Sequence, residues 1–150
     1  MSHIKKRRAF TLIELVFIIV VLGILASIAI PKFSATRDDA HISSARATIG
    51  AVRSGIVSVR QKYLLRGVNS YINSLSCGGS GVLFDGNCTA GTEILMYPLT
   101  PSTANGHWSQ SGSDYVFHIM DKSCTFAYNS ATGTFALKAS QPSECDPLDF

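Results

Sequence analysis

The chain has 150 residues and a formal net charge of +3, room for one domain and too little for separate catalytic and cofactor domains of ordinary size. Hydrophobic residues make up 46% and charged residues 15%, a balance that excludes intrinsic disorder and suits a chain with part of its length in lipid. The positive charge is local: four of the 13 basic residues are the consecutive Lys5, Lys6, Arg7 and Arg8.

From Phe10 to Ile30 the sequence is apolar with one charge, Glu14. As a helix rising about 1.5 Å per residue it is roughly 31 Å long, which matches a hydrocarbon core of about 30 Å. The basic cluster before it places the N-terminus in the cytoplasm and the remainder on the outer side. A rival reading is a secretory signal peptide cut after Ser27-Ile28-Ala29. The early carboxylate argues against it, because a charge costs about 2.5 to 3.5 kcal/mol at a helix centre in lipid, and less near the end.

Ala9-Phe10-Thr11-Leu12-Ile13-Glu14-Leu15, after a short basic leader and before a long apolar run ending at Pro31, resembles the class III leader of type IV pilins and type II secretion pseudopilins. The resemblance implies that a prepilin peptidase cuts between Ala9 and Phe10 and N-methylates the new amine of Phe10. The family usually has glycine where this chain has Ala9, which keeps a small residue but bears on cleavage efficiency. It also implies that Glu14 pairs with the terminal amine of a neighbouring subunit, neutralising two charges that lipid tolerates poorly. Gly23 and Ser27, four apart, permit close backbone approach between helices. Pro31 lacks the N–H the helix needs and is expected to kink or locally melt it, and the resemblance implies a loosened helix in this region of the fibre.

Beyond Pro31, Ile42, Ala45, Ile49, Val52, Ile56, Val59 and Tyr63 recur at spacings of three and four, one seam of an amphipathic helix running to about Leu65. The seam is expected to pack under a head formed by the same chain rather than in a coiled coil. Arg46, Arg53 and Arg60 recur every seven residues on another face, either a solvated stripe or a subunit interface.

After Gly67 the composition shifts to Gly, Ser, Asn, Thr and Cys. A short helical turn is expected around Tyr71, Ile72 and Leu75, then strands at Ile94 to Tyr97, Asp114 to Met120, Cys124 to Tyr128 and Thr134 to Leu137, the last two forming a hairpin. The expected fold is α+β and pilin-like: a leader at 1–9, a membrane and polymerisation helix at 10–30, a stem helix at 31–66, and a small antiparallel head at 67–150. The cysteines Cys77, Cys88, Cys124 and Cys145 lie in an exported head and imply disulfides. Three pairings are open; the local one, Cys77 with Cys88 and Cys124 with Cys145, is favoured, and its second bridge resembles the disulfide-bounded end of many pilins.

No metal-ligand spacing is present. The acidic residues Asp114, Asp121, Glu144, Asp146 and Asp149 raise calcium as a weak alternative without any EF-hand pattern. Gly78-Gly79-Ser80-Gly81 lacks the second glycine of a nucleophile elbow, and His107 and His118 stand outside any zinc-protease motif. No cofactor and no enzymatic activity are expected. The partners implied are further copies in a fibre, a prepilin peptidase, an inner-membrane assembly platform with a cytoplasmic ATPase, minor pilins or pseudopilins, and the membrane. Residues 67–150 hold only Lys122 and Lys138 as basic residues, which argues against direct DNA binding. The first reading is a secretion pseudopilus subunit at the inner membrane with a periplasmic head. Alternatives are a pilus or competence subunit and a single-span anchored protein that never polymerises.

Overall fold

The computed structural model describes residues 10–79 and 81–150, leaving aside the side chains of 30–35. Ala9 and Ser80 therefore lie outside the described residues. The chain divides into two compact units, Met1–Arg37 and Asp38–Phe150.

Helix α1 (Leu12–Leu65) crosses both units as a single assigned element. Thr11 opens it: its Oγ1 accepts the Glu14 N–H at 3.3 Å, and Thr-x-x-Glu is the sequence form of a capping box. The expected local melting at Pro31 is not seen, since helix is assigned through that position. A proline removes one N–H from the ladder, and the turns on either side carry the helix on; the Pro31 side chain itself lies outside the described residues. The helix ends in main-chain bonds from Arg66 and Val68 back to Tyr63 O, at 3.0 and 2.9 Å.

In the second unit four strands form one antiparallel meander, β1 (Trp108–Ser111), β2 (Asp114–Ile119), β3 (Lys122–Asn129) and β4 (Thr134–Leu137), in sequential order. The register pairs Trp108 with Phe117, Phe117 with Cys124, and Tyr128 with Phe135. A 3-10 helix, η1 (Ser143–Leu148), follows. The side chains facing the helix are mostly aromatic, and they meet the α1 seam of Ala45, Ile49, Val52, Ile56 and Val59, each at most 2% exposed. Ile42 and Tyr63 border this core half-buried.

Phe84 lies at the core's centre, stacked on Tyr115 at 4.7 Å and edge-on to Trp108 at 5.9 Å. It adopts a left-handed backbone, φ 64°, which an L-residue does at a cost of about 1–2 kcal/mol. Its N–H donates to Ser76 Oγ at 2.9 Å and its carbonyl accepts from Leu95 N–H at 3.0 Å. Those bonds and full burial of the ring, on the order of 2–3 kcal/mol, offset the strain.

Two expected elements are absent. Residues 94–97 form no strand; Ile94 is buried against the helix, and Leu95 makes the main-chain bond to Phe84. Around Tyr71, Ile72 and Leu75 there is no helical turn: Ile72 and Leu75 are buried in irregular chain, with the Ile72 carbonyl accepting from Tyr128 Oη at 2.8 Å. Two elements were not expected, β1 and η1.

Candidate functional site

In the first unit, Leu12–Ala29 is an 18-residue apolar window with mean hydropathy 2.9, and none of it is buried within the protein. Phe10 is exposed. Glu14 sits in the first helical turn among Ile13, Val16, Phe17 and Val20. A carboxylate near a helix N-terminus is favoured by the helix dipole, so Glu14 suits its position before any second copy is considered. The Thr-x-x-Glu spacing that makes this turn was legible in the sequence. Ser27 satisfies its own hydroxyl by donating to Ile24 O at 2.7 Å, a local bond that lets a polar side chain sit in an apolar stretch. A Cβ built on Gly23 would meet nothing within 4 Å among the described residues.

In the second unit the arginine row is engaged by its own chain. Arg46 Nε donates to Pro147 O at 2.6 Å, Arg53 Nε donates to Phe135 O at 3.0 Å, and Arg53 Nη1 donates to Phe150 O. The Phe150 ring lies under both guanidinium groups, 5.7 Å from Arg46 and 4.9 Å from Arg53. Arg60 donates to Asn69 Oδ1 and stacks over Tyr71 at 4.6 Å. The row is therefore not simply solvated. Residues 143–150 bring the Pro147 and Phe150 main-chain oxygens and the Phe150 ring to the helix that bears it.

Cys77 is joined to Cys88 and Cys124 to Cys145, with Cα–Cα distances of 4.9 and 5.6 Å. The second bridge is fully buried between β3 and η1. The first closes the glycine-rich loop, where the Cys77 N–H donates to Asp85 Oδ1 at 2.7 Å.

The acidic residues considered for calcium do not converge: among the described residues no group of three or more His, Cys, Asp or Glu is placed to hold a metal. Asp114 instead accepts from Lys138 Nζ at 2.6 Å. On the outer face of the sheet, the two ring nitrogens of His118 lie 2.7 Å from Ser109 Oγ and 3.3 Å from Ser123 Oγ. Burial pushes that imidazole below its ordinary pKa. The Tyr128 phenol, bonded to Ile72 O, is pushed up to about 12, first by burial and then by the neighbouring tyrosines.

Known proteins with similar sequences agree with the N-terminal reading. A family model described as the prokaryotic N-terminal methylation motif matches residues 4–30. The chain is 44% identical over 59 residues to the type IV narrow pilus major component PilA5 of Thermus thermophilus, covering 38% of this chain and 51% of that protein. It is 34% identical over 87 residues to the type IV major fimbrial protein FimA of Dichelobacter nodosus, covering 58% of this chain and 53% of that protein. The chain thus spans about half the length of these curated relatives. No solved structure matches significantly. With its apolar first helix and small antiparallel sheet, the chain carries the N-terminal methylation motif and is similar to the type IV pilins.

Proposed function

We propose that the protein is a pilin-like subunit, held in the inner membrane by residues 10–30 and drawn from there into a helical fibre. One observation carries this reading: the methylation motif matches residues 4–30, and the apolar window it leads into, Leu12–Ala29, is unburied among the described residues. In this reading residues 1–9 are a leader removed between Ala9 and Phe10, Phe10 receives the methyl group, and the Glu14 carboxylate meets the terminal amine of another copy. Residues 31–66 are the stem and 67–150 the head, outside the cytoplasm. The two named relatives are pilus and fimbrial proteins, so a type IV pilus takes precedence over the secretion pseudopilus preferred from sequence. The protein acts by assembling, with no chemistry of its own. Arg46 and Arg53 serve assembly by holding the C-terminal segment in place, Arg60 by holding Asn69 and Tyr71, and Pro31 by loosening the helix when subunits pack.

Intact mass and N-terminal analysis of membrane-extracted protein test the reading. The expected product begins at Phe10 with a methylated amine; a chain beginning at Met1 or at Ile30 would overturn it. Glu14→Ala is expected to leave membrane insertion unchanged and to abolish fibres seen by electron microscopy.

A further inference from the structure

The two edges of the sheet are finished differently. At β4 the Phe135 carbonyl is taken by Arg53. At β1 the Trp108 carbonyl accepts from Ser102 N–H at 2.8 Å, and beyond it, among the described residues, the Gln110 main chain has no partner. The two-residue turn at Gly112-Ser113 makes Ser111 and Asp114 the closing hydrogen-bonded pair. Alternation along the ladder then turns the N–H and C=O of Gln110 away from β2. Along this edge lies a groove of about 680 Å³, walled by Leu83, Pro101, Ser102, Thr103, Ser109 and Gln110 together with the glycine-rich loop. None of its described lining residues is charged.

Nearby the head raises an uncharged knob. Met96 and Tyr97 are 87% and 81% exposed, more than any other large hydrophobic residue between 67 and 150. Both flanks are tied down: Leu95 N–H donates to Phe84 O at 3.0 Å, and Leu99 exchanges main-chain bonds with Leu83 at 2.7 and 3.0 Å. Leu83 also lines the groove, while Met96 and Tyr97 stay exposed on their own chain. A knob with fixed ends loses little freedom on binding.

We propose that Met96 and Tyr97 of one copy seat in the groove along the open β1 edge of a second copy. The proposal rests on the fibre reading and names a contact between heads within it. The match is one of charge: neither surface carries a charged group that would lose its water. The main chain around residue 97 meets the outward N–H and C=O of Gln110, as in strand addition to a sheet edge. In the fibre reading each copy gives its knob to one neighbour and its groove to another. Such a contact does not close on itself.

The test uses the full chain in membranes containing the assembly machinery, with p-benzoyl-phenylalanine at position 97 and two isotopically distinct populations of the chain. Irradiation is expected to join different copies, with adducts mapping to residues 77–79, 81–83, 101–103 or 109–110. Adducts elsewhere, or confined to one chain, overturn the proposal. Met96→Glu with Tyr97→Glu on one side, and Thr103→Arg on the other, are each expected to keep the buried Trp108 emission and cut fibre yield at least tenfold. Fibres at the unmodified level from both variants overturn it. Adducts without fibres leave the contact standing and remove the fibre reading; fibres without adducts do the reverse; neither product removes both.

Discussion

One helix serves two solvents. Between residues 12 and 29 its apolar side chains cover the whole circumference and none is buried by the chain. Between residues 42 and 63 they are confined to one seam, which the sheet covers, while arginines occupy another face. All-round hydrophobicity describes a helix whose partner is lipid or other helices, and a seam describes one whose partner is a folded layer. The first segment can lose a methylene with little effect on the protein's own fold, because the described residues leave it unburied. In the second segment, every lost contact is felt by the head.

The sharpest way to break this contrast is in the aromatic core. Phe117→Ala is expected to destabilise the head by about 3–5 kcal/mol, read as a shift in the urea midpoint of detergent-extracted protein. Trp108, the one tryptophan and 4% exposed, reports this transition alone. Ile19→Ala, at a 58% exposed position of the first segment, is expected to leave that midpoint unchanged.

A smaller effect is expected at the arginine row. Arg53→Ala removes bonds to Phe135 O and Phe150 O and the contact with the Phe150 ring. The expected loss is about 1–2 kcal/mol, with faster proteolysis after residue 140 as a second readout. Unchanged stability and unchanged cleavage would return the row to solvated surface.

The smallest concerns His118, whose ring remains partly open to water. Its folded pKa lies below its ordinary value because burial disfavours the cation. Between those two values the unfolded chain binds the proton and the folded chain does not, so stability rises with pH through that window. Its contribution is complete above about pH 6.5 and is lost on acidification toward the folded pKa. His118→Gln is expected to flatten this acid-side slope in urea titrations at matched ionic strength; an unchanged slope would assign it to other groups.

Much of the fold was legible wherever periodicity carried it. The seam from Ile42 to Tyr63 follows from spacing alone because a helix has a fixed pitch. Strands β2 to β4 follow from alternation and a turn between them. The failures have physical causes. Ile94 to Tyr97 has strand composition, yet its burial comes from one residue against the helix, and Met96 and Tyr97 face solvent. Trp108 to Ser111 holds one apolar residue before three polar ones, because an edge strand next to a groove has little to bury. Residues 143–148 contain Pro147 and no apolar period, so their 3-10 helix left no pattern to read. The partners of Arg46 and Arg53 lie about a hundred residues away and are main-chain oxygens, which no side-chain spacing can disclose. At the membrane end, the leader and Glu14 are readable as local motifs, and the capping role of Thr11 rests on the Thr-x-x-Glu spacing inside the same motif.

The path from the core back to the sheet is staked to the helix at two places. A Cβ on Gly55 would collide with the Ile94 carbonyl, and one on Gly106 with the His41 ring, so backbone and helix touch at both. Positions 41 and 55 are about 21 Å apart along a helix, whereas the chain from 94 to 106 could reach about 40 Å if extended. The surplus length lies in surface chain, at Thr103, Ala104 and Asn105, all exposed. Similar chains could therefore gain or lose residues at that loop without disturbing the core. Replacing either glycine would leave no such latitude, so length should drift in this stretch while the two stakes stay fixed.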